Sequence, residues 1–71
     1  MNLGELIQTS TAAIEAADAS NLDVVWEKVK ADIGEQSQGH ESEHLGGRFR
    51  LLALQRLDPI YQARRAELGL P

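Results

Sequence analysis

Asn21-Leu22-Asp23-Val24-Val25-Trp26-Glu27-Lys28-Val29-Lys30-Ala31-Asp32-Ile33 is the stretch whose reading decides the fold. Leu22, Val25, Trp26, Val29 and Ile33 fall at helical spacing on one face, while Asp23, Glu27, Lys28, Lys30 and Asp32 sit largely off it. Ser20 and Asn21 offer an N-terminal cap, and Gly34 a natural stop, so a helix is predicted over about 21–33.

Upstream, Asn2 followed three residues later by Glu5 forms a capping-box-like start. Leu3, Leu6, Ile7, Ser10, Ala13, Ile14 and Ala17 then recur at helical spacing, predicting a helix over about 3–18 whose small residues permit close approach. The link at Asp18–Asn21 is short enough to make these two helices neighbours in an antiparallel hairpin.

Downstream, residues 35–47 are polar and glycine-rich and read as a loop that winds into helix toward its end. Two adjacent glycines, Gly46 and Gly47, cost a continuous helix roughly 2 kcal/mol relative to alanine, which places the boundary near Gly47. A third, longer helix is predicted over about 48–68. Its apolar stripe comprises Phe49, Leu52, Ala53, Leu57, Ile60, Tyr61 and Leu68. Asp58-Pro59 predicts a kink or break in it, because proline lacks the amide hydrogen and disfavours helical geometry at the preceding residue. The expected architecture is all-α, with about three helices in a single domain spanning 1–71, and two such chains are expected to form a homodimer.

Seventy-one residues leave room for one small core, contributing roughly 3–5 kcal/mol net. With no cysteine, disulfides and thiolate metal sites are excluded, so helix packing or self-association must supply the rest. The start lacks a basic region followed by an apolar stretch, and no apolar run approaches the ~18 residues of a membrane span, so a cytoplasmic protein is expected.

Charge is divided along the chain. Residues 1–46 hold nine acids against Lys28 and Lys30, and residues 47–71 hold five arginines against Asp58 and Glu67; the parts carry −7 and +3 and combine to the net −4. Such a division suits helices packing on each other, two copies pairing as a homodimer, or separate surfaces for separate partners.

His40-Glu41-Ser42-Glu43-His44 satisfies the H-E-x-x-H pattern, in which two imidazoles one turn apart ligate zinc and the Glu is general base. The context argues against that chemistry: the pattern lies between Gly39 and Gly46-Gly47 in a polar stretch, and proteases of this type need an apolar-flanked helix on a larger domain. Weak metal binding by His40 and His44 is the residual reading, with a solvated loop as the plain one. No cofactor is implied.

Arg48, Arg50, Arg56, Arg64 and Arg65 do not form one compact row, and the chain is acidic overall, so arginine-dependent nucleic-acid contacts rank below ion pairing to acidic helices or to a partner. Arg64-Arg65 near a helix C-terminus also complements the helix dipole. Glu15, Asp18, Asp23, Glu27, Asp32 and Glu35 raise the reverse reading, an acidic DNA mimic, which Lys28 and Lys30 dilute. Trp26 and Tyr61 read first as core anchors and second as hot spots for a partner.

Ile14-Glu15-Ala16-Ala17-Asp18, then Leu22 and Val25-Trp26-Glu27 with Val29 and Ile33, then Leu57 and Tyr61-Gln62-Ala63-Arg64-Arg65-Ala66-Glu67-Leu68, resemble the small helical module at the C-termini of some phage single-strand annealing recombination proteins. The resemblance implies a module that docks partner proteins and does not itself anneal DNA. Functionally, a non-enzymatic protein-interaction module is expected, an adaptor or inhibitor of the kind phages and mobile elements encode. Trp26, Tyr61, Arg48, Arg50, Arg64 and Arg65 are its candidate partner-binding residues.

Overall fold

The computed structural model describes the backbone of residues 2–38 and 43–71 and the side chains of residues 2–37 and 48–71. Within these, three helices follow one another: α1 (Leu3–Ala16), α2 (Leu22–Gln38) and α3 (Glu43–Glu67). The all-α expectation holds. No described helix is long and apolar enough to cross a membrane.

α1 begins as its cap requires. The Asn2 Oδ1 accepts from the Glu5 amide at 2.8 Å, and Asn2 Nδ2 donates to Glu5 Oε1 at 3.1 Å, so two polar groups at the helix start satisfy each other. Leu6, Ser10 and Ile14 are its buried line. The helix stops two residues sooner than expected, with Ala17 extended and Asp18 opening a tight turn. In that turn Asp18 Oδ1 accepts from the Ser20 amide at 2.9 Å and from its hydroxyl at 2.6 Å. Asn21 faces backwards, its Oδ1 accepting from the Asp18 amide at 2.9 Å, so it holds the link and does not cap α2 with its side chain.

Three boundary expectations are corrected. α2 runs through Gly34 to Gln38. Gly34 is half-buried with no left-handed backbone, and its carbonyl accepts from the Ser37 hydroxyl at 2.8 Å, a side-chain contact within the last turn of the helix. α3 starts at Glu43 and includes Gly46-Gly47, so of the expected 35–47 loop residues 35–38 and 43–47 are helical, and residues 39–42 lie outside the described residues. The glycine penalty of about 1 kcal/mol each is offset by tertiary packing downstream, where Phe49 and Ala53 are buried. Of the kink or break expected at Asp58-Pro59, the break is absent, since α3 runs through Pro59 as one helix. Both residues lie on the solvent side, so the carbonyl that proline leaves unbonded, that of the exposed Gln55, faces water.

α3 packs against both other helices, and α1 meets α2 along a lesser seam. That seam leaves a groove of about 240 Å³ lined by Thr9, Ala13, Val25, Lys28, Val29 and Asp32, among others. The Tyr61–Asp23 and Arg64–Ala17 bonds fix the C-terminal end of α3 beside the start of α2 and the end of α1. Since only residues 39–42 separate α2 from α3, the third helix runs back along the second. The core is one cluster in which Ile14, Leu22, Ile33 and Leu57 are wholly enclosed.

Leu52 is the exception to the expected α3 stripe, at 37% exposure. Phe49, Ala53, Leu57 and Tyr61 follow a line of four-residue steps into the core. Leu52 lies one residue, about 100° of rotation, from Ala53 and faces outward. The chain closes α3 with a Schellman motif: Gly69 has φ 72°, its amide donates to the Ala66 carbonyl, and the Leu70 amide donates to that of Arg65.

Candidate functional site

The predicted site residues separate into two groups along α3. At its C-terminal end, Trp26 and Tyr61 stack with ring centroids 4.5 Å apart and planes 8° from parallel, and each residue is only 8% exposed. Such a pair contributes about 0.5–1.5 kcal/mol beyond its area burial. The Tyr61 hydroxyl donates to Asp23 Oδ1 at 2.8 Å and accepts from Arg65 Nη1 at 2.8 Å, so its polar tip is satisfied at the edge of the core. Arg65 also pairs with Asp23 at 2.9 Å, lies 5.5 Å from the Tyr61 ring centre, and donates to the Pro71 carbonyl. Lys30, itself paired with Glu27, sits 5.9 Å from the centre of the Trp26 ring.

Arg64 performs a different task. Its Nε and Nη2 donate to the Ala17 carbonyl at 3.1 and 2.7 Å, and Nη1 meets Glu67 at 3.1 Å. The α1 helix dipole leaves partial negative charge at its C-terminus, and a guanidinium fork on the first carbonyl beyond the helix satisfies it across 47 residues of sequence. The neighbouring Asp18 carboxyl is held below the usual carboxylate range, first by the Ser20 hydroxyl and amide and last by the charge of Arg64. Trp26, Tyr61, Arg64 and Arg65 are thus brought together, in the service of the fold.

The N-terminal half of α3 is arranged otherwise. Arg48, Leu51, Leu52, Gln55 and Arg56 are all exposed and follow the i, i+3, i+4, i+7, i+8 rule of a single helix face. Leu51 is 57% exposed and Leu52 37%; Val24, on α2, is the remaining large apolar side chain so placed among the described residues. Among those residues Arg48, Arg50 and Arg56 make no ion pair or hydrogen bond. Sequence reasoning misses the two leucines as site residues, because it assigns Leu52 to the core and Leu51 to no face. The spacing from Arg48 to Arg56, set against the 49, 53, 57, 61 line, is the signal that separates them.

His40 lies outside the described residues, and so does the side chain of His44, whose backbone lies in the first turn of α3. The metal reading therefore falls outside the described residues; among those described, no three carboxylates or imidazoles gather where an ion could sit. No family model matches the chain, and no curated protein or solved structure matches it either.

Proposed function

We propose that this chain is a non-enzymatic protein-interaction module, a small adaptor or inhibitor that binds a partner protein and occludes or bridges it. One observation carries the reading: two leucines stand exposed on the outer face of α3 between arginines that make no ion pair or hydrogen bond among the described residues, where every other large apolar side chain except Val24 is buried or half-buried. Apolar side chains rimmed by charge are the composition of an interface centre and its edge. The leucines contribute affinity by leaving water, and the arginines set orientation and on-rate.

Tagged protein incubated with a nuclease-treated lysate of its host and washed in high salt tests this. A stoichiometric protein retained by the native chain and lost with Leu51→Glu/Leu52→Glu is the expected result. Retention that requires nucleic acid would overturn it in favour of the second reading, an accessory factor in DNA recombination or replication, which the unpaired Arg48, Arg50 and Arg56 support.

A further inference from the structure

We propose that the occupant of this α3 face is an acidic amphipathic helix of a partner protein, an inference that rests on the interaction-module reading. The face from Arg48 to Arg56 carries these two arginines and no acid between them, in a chain of net charge −4, so this is a locally cationic strip on an acidic molecule; Arg50, about 200° of rotation from Arg48, lies off it, and the exposed Asp58 follows its C-terminal end. Arg48 and Arg56 are eight residues apart, about 12 Å along the helix at 1.5 Å per residue, with Leu51 and Leu52 between them on the same face. A helix laid along the strip meets both guanidinium groups if it carries carboxylates two turns apart, and it covers the leucines if apolar side chains lie between those carboxylates.

Charge decides among occupants. A second copy pairing through the same patch about a two-fold axis sets the arginines of one strip against those of the other, with no carboxylate within 48–57 to separate them. A nucleic-acid backbone satisfies the arginines but leaves Leu51 and Leu52 against phosphate and sugar, and the remaining surface repels it. A helix bearing both carboxylates and leucines matches the two arginines and the two leucines of the strip together.

The probe is a labelled amphipathic peptide of about 18 residues with leucines on one face and flanking glutamates two turns apart. It is titrated with the full chain by fluorescence anisotropy at low salt, beside versions carrying Gln or Lys in place of Glu and beside a short DNA duplex. The Glu peptide is expected to bind at least about 10-fold tighter than the Gln peptide. Arg48→Glu/Arg56→Glu is expected to reverse the preference toward the Lys peptide, with unchanged circular dichroism. Equal binding of Glu and Gln peptides, lost in Leu51→Ala/Leu52→Ala, overturns the acidic class while leaving the interaction module standing. Tighter binding of DNA than of the Glu peptide overturns both. Self-association in sedimentation that Leu51→Glu/Leu52→Glu abolishes makes a second copy the occupant and overturns the inference, and so does failure of every peptide to bind.

Discussion

The two halves of α3 use the same residue types for opposite ends. Near its C-terminus, Tyr61, Arg64 and Arg65 are committed to Trp26, Asp23 and the Ala17 carbonyl, contacts that join the third helix to the first two. Near its N-terminus, Arg48 and Arg56 extend into solvent beside Leu51 and Leu52. An arginine's role is therefore set by what the fold brings within reach of it. Truncating a committed guanidinium leaves a carbonyl or carboxylate short of a partner, whereas truncating an exposed one leaves only water.

The most disruptive test of this contrast is Tyr61→Ala, which removes a buried ring from the joint. A loss of about 3–5 kcal/mol is expected. That is comparable with the whole net stability of a core this size, so the chain should be largely unfolded by circular dichroism at about 25 °C. Tyr61→Phe sharpens the result: it keeps the stack and forfeits only the hydroxyl's bonds, at about 1 kcal/mol in urea unfolding. Next in size is the pair Arg64→Ala and Arg56→Ala. The first is expected to cost about 1–3 kcal/mol, having lost the fork on Ala17, and the second to stay within about 0.5 kcal/mol. Equal effects would erase the distinction between the halves.

Gly69→Ala tests the end of the committed half. Its positive φ is costly for any residue with a Cβ, though open space surrounds the position, so a thermal unfolding curve should show a loss of about 1 kcal/mol from backbone strain alone. The smallest effect is expected at Asp18. Its carboxyl is held below the usual range in the folded chain by Ser20 and, last, by Arg64, so the stability it adds is fully present above the unfolded value, about pH 4, and is lost as pH falls through the lower folded value. Ser20→Ala should therefore lower stability slightly at neutral pH and flatten its fall below about pH 4, the two proteins converging at the acid end of a series of urea unfolding curves.

Most of the helical architecture is legible in residue types and their spacing. The Asn2 cap, the Leu22–Val25–Trp26–Val29–Ile33 face and the glycine closing α3 each express a local rule that the surroundings do not contradict. The ends of helices are less legible. Gly34, Gly46-Gly47 and Pro59 are breakers by propensity, yet each lies within a helix, because propensity costs of about 1–3 kcal/mol are outweighed where neighbouring turns pack or where the freed backbone faces water. The candidate site is only partly legible: its arginines stand out by charge, but the apolar spacing that includes Leu52 in the α3 stripe hides the leucines between Arg48 and Arg56.

By itself the sequence determined the class of the fold, the absence of disulfides and the uneven division of charge, since each follows from residue types and their spacing along one chain. Only the tertiary structure decided which arginines are occupied, that Trp26 meets Tyr61, and that Leu51 and Leu52 face solvent. Those outcomes depend on how three helices rotate about their own axes as they pack. A rotation of one residue, about 100°, exchanges a buried side chain for an exposed one, and periodicity leaves that rotation to be settled by the neighbouring helices.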